Sequence, residues 1–276
     1  MIKELITPCL WCDGTAKQTA AFYCSIFKDA KIVSDTPMVV EFTASGHKFT
    51  CLNGGSKYAP NPSISFFYIC ETEDELDEIW KAMEQEGKVL MPLDKYPWAE
   101  KYGWIQDQYS VSWQLSLSKL EDVGQKITPC LLFVGGQCGN AEEALNHYTS
   151  IFQDSSVDGI MHYENDKSMV QHAQFALNGQ KFMVMDSNEE HQFSFSEGIS
   201  LMIGCDTQEE IDYYWDKFTA EGEESMCGWL KDKFGVSWQV YPNILGELMS
   251  DSDRAQRILQ VFGQIRKFNI EELKNA

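Results

Sequence analysis

The sequence predicts an α+β fold made of two copies of one module of about 115 residues, followed by a helical tail. Three observations carry that prediction. The pentapeptide ITPCL occurs at 6–10 and again at 127–131. Four later segments recur in the same order: AFYCSIFKDAKI (21–32) with NHYTSIFQDSSV (146–157), EFTASGHKFTCLNG (41–54) with QFALNGQKFMVMDS (174–187), ISFFYICETEDELDEIW (64–80) with ISLMIGCDTQEEIDYYW (199–215), and WIQDQYSVSWQLS (104–116) with WLKDKFGVSWQVY (229–241). Within each copy, short apolar runs bounded by turn residues alternate with stretches of helical period. The spacing between copies drifts from 121 to 135 residues, so the order is kept and only loops change length. A repeat of this length is too long for a solenoid and has the size of a domain or half-domain. The expected division is 1–120 for the first module, 121–243 for the second and 244–276 for the C-terminal extension.

Each element of the first module has a local cause. LITPCLWC (5–12) is a short apolar run ended by Asp13-Gly14, which reads as a strand and turn. Phe22, Tyr23, Ile26 and Phe27 then fall at helical spacing, with Thr15 as the expected N-cap. VVEFTASGHKFTCLN (39–53) reads as two strands joined at Ser45-Gly46, where the second copy carries Asn178-Gly179, the strongest short hairpin signal. SISFFYIC (63–70) is a further strand. ETEDELDEIWKAMEQEG (71–87) is an amphipathic helix with acids in its first turns and Gly87 at its stop. A strand at Val111–Leu117 closes the module, and the second module repeats each step. Ile258, Leu259, Phe262 and Ile265 give the tail (250–268) one apolar face, to be packed on this chain or on a second copy in a homodimer.

Composition narrows the function classes. Of 276 residues, 43% are hydrophobic and 13% aromatic, enough for a substantial core. No apolar run approaches the roughly 18–20 residues that span a bilayer, and the N-terminus carries no signal-peptide pattern. Nine cysteines in such a chain point to buried thiols in a cytoplasmic protein. The formal charge of −20, from 22 basic and 42 acidic residues, repels phosphate backbones, so neither nucleic acid nor membrane is an expected partner.

The segments ITPCL…FYCSIF, FALNGQKFMVMDS, YPWAEKYGWIQDQYSVSWQ and DKFGVSWQV resemble the PhnB-like branch of the vicinal-oxygen-chelate superfamily. The likeness covers both modules, about 3–118 and 125–243, and extends to the tail. It implies tandem βαβββ-type modules with curved, antiparallel-rich sheets, as in glyoxalase I and the bleomycin-resistance proteins. A methyltransferase name is often attached to this domain, but a methyltransferase of the usual kind needs a parallel doubly wound sheet and a Gly-rich turn. The closest such turn, VGGQCGN (134–140), is matched in the first module by CDGTAKQ and reads as a lengthened loop. The Cys-x-x-Cys at Cys9 and Cys12 places its sulfurs on opposite sides of a strand, and Phe133 replaces the second cysteine in the other copy; buried structural thiols are expected.

Superfamily enzymes draw metal ligands from early and late strands. The early position falls near Ile6 and near Ile127 or Thr128, and the late one on Gln114 and Gln239. Two neutral amides without imidazole or carboxylate make a poor divalent site, so no metal and no cofactor are expected. What remains are Glu41, Trp98, Tyr102, Gln114 and Gln239 as ligand-binding candidates, and His172 with Asp186 as a possible acid–base pair or a structural histidine. The remaining histidines have no partner spacing. Sixteen residues separate Gly87 from Trp104, against six between Gly222 and Trp229. That longer stretch, with Tyr96, Trp98 and Tyr102, reads as a loop that covers a small, partly apolar ligand or pads the core. A small-molecule binder is therefore the leading reading. An enzyme of the same superfamily and a structural or interaction protein stay open beside it.

Overall fold

The computed structural model describes residues 6–250 and 252–275. Four βαβββ units follow one another. The first is β1 (Ile6–Cys12), α1 (Ala16–Ile26), β2 (Lys31–Asp35), β3 (Val39–Ala44) and β4 (His47–Asn53). The second is β5 (Ile64–Cys70), α2 (Glu73–Glu84), β6 (Lys88–Tyr96), β7 (Ala99–Gln106) and β8 (Ser112–Leu117). A short α3 (Leu120–Val123) leads to the third: β9 (Ile127–Val134), α4 (Ala141–Ile151), β10 (Ser156–His162), β11 (Val170–Leu177) and β12 (Gln180–Ser187). The fourth is β13 (Ile199–Cys205), α5 (Gln208–Thr219), β14 (Glu223–Glu224), β15 (Trp229–Lys231) and β16 (Ser237–Pro242). The tail holds α6 (Leu245–Leu248), α7 (Ser252–Phe262) and α8 (Ile270–Asn275). In every unit the first strand pairs in parallel with the last. Each sequence module thus contains two βαβββ units.

The chain divides into two compact units, Cys9–Ile199 and Ser200–Ala276, the latter together with the start of β1. Within Cys9–Ile199, one eight-stranded sheet runs β10-β11-β12-β9-β5-β8-β7-β6. Its centre is the antiparallel pair β5–β9, so half of it comes from each sequence repeat. The strands β1-β4-β3-β2 of the same unit pack against that sheet through aromatic side chains. Tyr23 of α1 and Phe27 just after its end lie among Phe42, Tyr68 and Trp113, with ring centroids 4.8–5.4 Å apart. Such contacts add about 0.5–1.5 kcal/mol per pair beyond the area they bury. In Ser200–Ala276, Phe218 of α5 stacks on Trp238 at 4.5 Å.

Several local expectations hold and several change. Ser45-Gly46 and Asn178-Gly179 all take positive φ, the geometry of the tight hairpin turn. Thr72 caps α2 and Thr207 with Glu210 forms a capping box on α5. Thr15 makes no side-chain cap; Asn53 at the end of β4 accepts from the Ala16 amide at 2.9 Å instead. The edge strands β2 and β10 escape the hydrophobic pattern because they are largely exposed. The stretch read as a loop at 88–103 is a hairpin, β6–β7, closing at Tyr96 and Ala99. Its pattern is hidden by Pro92 and by three register shifts. The tail helix ends at Phe262 rather than Phe268, and Ile265 and Arg266 instead accept from the Cys227 and Gly228 amides at 2.7 Å. Ile258 is buried, while the Leu259 side chain lies outside the described residues. No helix among the described residues is long and apolar enough to cross a membrane.

Candidate functional site

Strand alternation sorts the eight-stranded sheet into two faces. One face carries Phe66, Tyr68 and Trp113 into the aromatic core. On the other, register aligns Trp104, Gln114, Phe67 and Thr128 in one row, and Ser112, Ser65, Cys130 and Met183 in the next. Here the Tyr102 hydroxyl donates to Gln114 Oε1 at 2.7 Å, and Gln114 Nε2 donates to Ser65 Oγ at 2.8 Å. Trp104 Nε1 donates to Ser112 Oγ at 2.6 Å. Cys130 lies beside Gln114 and Ser65, and burial pushes its thiol up to about 12, so it stays protonated at neutral pH. Burial also raises the Tyr102 phenol. The row is neutral throughout.

Above it the β6–β7 hairpin brings its aromatics together. Tyr96 stacks on Trp98 with centroids 5.0 Å apart, and both meet Tyr102 edge-on at 5.6 and 6.0 Å. Tyr102 is buried, whereas Trp98 at the turn is 59% exposed. Trp98, Tyr102 and Gln114 are therefore brought together on one face. Ser65 and Cys130, which complete the row, were not singled out from the sequence. Their signal was the internal repeat itself: Ser65 recurs as Ser200 in ISFF and ISLM, and Cys9 as Cys130 in ITPC.

The other candidates go elsewhere. Glu41 lies on β3, which is not a strand of the β10-to-β6 sheet that carries Gln114, and pairs with Lys48 at 2.6 Å. It does not join Gln114. Gln239 sits in Ser200–Ala276 and donates from Nε2 to Ser200 Oγ at 2.8 Å. His172 and Asp186 do not form a pair. Ala173 stands opposite Val184, so Asp186 shares its face with Ala173 and His172 projects to the other. Asp186 is 1% exposed and accepts from the Gly139, Ala141 and Val170 amides at 2.7, 3.3 and 2.8 Å. It does for α4 what Asn53 does for α1. It also fills the glycine-rich turn at 134–140 with an internal carboxylate, where a phosphate would have to bind. His172 shares the Gln114 face with Met161 and Met185, and burial lowers its pKa, so it is neutral at pH 7.

The metal chemistry of the superfamily does not fit these residues. Among the described residues, those bonded to or beside Gln114 bring hydroxyls and a protonated thiol rather than a carboxylate or imidazole. Among the described residues no group of three or more His, Cys, Asp or Glu side chains could hold a metal ion.

The 3-demethylubiquinone-9 3-methyltransferase family matches residues 4–116 and 125–241. A putative 3-demethylubiquinone-9 3-methyltransferase, PhnB protein, from Bacillus cereus is 35% identical over 41% of this chain and 98% of its own, with a TM-score of 0.39. Glyoxalase I from Zea mays is 12% identical over 90% of this chain and 96% of its own, with a TM-score of 0.60, which places the duplicated fold. No curated protein matches in sequence.

Proposed function

We propose, from the premise that this chain belongs to the PhnB-like 3-demethylubiquinone-9 3-methyltransferase family in two tandem copies, that it binds a small, partly aromatic molecule beneath the β6–β7 hairpin. The observation that carries this reading is Trp98, a tryptophan 59% exposed over a neutral hydrogen-bonded row. Large aromatics with few, fixed polar groups are the usual lining of ligand sites. The row supports a neutral ligand, and the net charge of −20 disfavours a strongly anionic one. The methyl-transfer activity in the family's description finds no support in the residues, because the glycine-rich turn at 134–140 is taken by Asp186. Nine free thiols favour a reducing cytoplasmic location, and the charge disfavours nucleic acid. A thermal-shift screen of neutral aromatic metabolites identifies the ligand class. Trp98→Ala then weakens binding of a hit by about 1–3 kcal/mol in calorimetry, the range for an aromatic anchor. Unchanged affinity in that variant removes the hairpin from the site.

A further inference from the structure

We infer that Ser200–Ala276 carries a second and chemically different site, in which Gln239 receives the hydroxyl or N–H of a neutral aromatic ligand. The inference goes beyond the reading above and uses other residues. β16 repeats β8, with Ser237-Trp238-Gln239 in place of Ser112-Trp113-Gln114. In β8 each acceptor on this face is supplied by the chain: Tyr102 donates to Gln114 Oε1 and Trp104 to Ser112 Oγ. In β16 the inner half of the arrangement is kept, since Gln239 Nε2 donates to Ser200 Oγ at 2.8 Å. The outer half is missing. Among the described residues, Ser237 Oγ is buried without a hydrogen-bond partner, and Gln239, 8% exposed, makes only its Nε2 bond to Ser200.

The cause lies in the repeat. The residue aligned with Tyr102 is Cys227, too short to reach, and its thiol donates to the Phe262 carbonyl at 3.1 Å. The buried Ser237 hydroxyl left without a partner is costly, and Gln239 Oε1 beside it is an acceptor that a ligand's donor can fill. Register places Met202 and Trp229 on either side of Gln239, both half-buried, as Phe67 and Trp104 flank Gln114. They are apolar walls for a ring. Tyr102 is thus the chain's own stand-in for the ligand that β16 lacks, and the class it specifies is a phenol or an equivalent aryl N–H compound. A carboxylate or phosphate would set oxygen against oxygen at Gln239 Oε1.

The test uses the full chain with 4-ethylphenol and, as the control without a donor, 4-ethylanisole. Calorimetry is expected to show 4-ethylphenol binding at least tenfold more tightly than 4-ethylanisole. Gln239→Leu should weaken 4-ethylphenol tenfold or more, while Trp98→Ala leaves it within twofold. Nuclear Overhauser contacts from the phenol ring to the Met202 methyl locate the site in the unaltered protein, so the result does not depend on the variant folding. Equal affinity for the two probes, no binding at millimolar concentration, or ring contacts away from Met202 overturns the inference. Loss on Trp98→Ala with Gln239→Leu unaffected also overturns it, and assigns the phenol to the hairpin face instead.

Discussion

The β5–β8 unit and the β13–β16 unit begin from nearly the same text and end in different surroundings. Both bury a serine beneath a glutamine, Ser65 with Gln114 and Ser200 with Gln239, at the same 2.8 Å. Both hold their last turn with a buried aspartate, Asp107 bonded to Trp113 and Asp232 to Trp238. They part at the edge. β6 and β7 extend over nine and eight residues, whereas β14 has two and β15 three. Where the first unit has a hairpin, the second is met by its own tail, with Phe268 packed beside Gly228. A duplicated centre keeps its polar bonds, and the edge decides what is left open.

The largest expected effect tests whether the centres are equivalent. Asp107→Ala leaves the Tyr23 hydroxyl, Trp113 Nε1 and two backbone amides without their acceptor. A loss of about 4 kcal/mol or more in urea unfolding follows from several orphaned buried donors. Asp232→Ala, which frees Trp238 Nε1 and the Phe234 and Val236 amides, should cost a similar amount. A gap above about 2 kcal/mol between the two variants would break the equivalence.

The edges come next. Phe268→Ala should cost about 3–4 kcal/mol as a buried aromatic truncation. Hydrogen exchange should show the Cys227 and Gly228 amides losing protection while β7 amides keep theirs. Uniform loss would mean that the tail supports more than its own half.

A pH effect of intermediate size marks the Asp107 centre. Burial raises its carboxyl to about 6, against its four hydrogen-bond donors. Because the folded pKa lies above the unfolded one, this contribution to stability is full below about pH 4 and is lost as pH rises through 6. It amounts to about 1–3 kcal/mol. Urea midpoints from pH 4 to 7.5 should therefore carry a downward component in the natural chain that Asp107→Asn removes. An identical pH profile in the variant refutes the assignment.

The smallest effect sharpens the contrast between the glutamines. Gln114→Leu strands both Tyr102 and Ser65, and should cost about 2 kcal/mol. Gln239→Leu strands Ser200 alone and should cost about half that. Equal losses would indicate that Gln239 Oε1 is as well supplied as Gln114 Oε1.

The sequence by itself determined the repeat, the α+β class, the helices α1, α2, α4 and α5, and the hairpin turns at Ser45-Gly46 and Asn178-Gly179. These rest on hydrophobic period and turn chemistry, which act over a few neighbouring residues. The expectation that Gln114 and Gln239 make a poor metal site rests on ligand type, which needs no partner. Tertiary structure alone decided that β5 pairs with β9 across the repeat, and that 88–103 forms an edge hairpin despite its exposed, bulged pattern. It also decided that Tyr102 reaches Gln114, that Cys130 lies against Ser65, and that Asp186 turns away from His172 toward the start of α4. Strand pairing is chosen by burial between segments far apart in the chain, and a one-residue change of register moves a side chain to the opposite face.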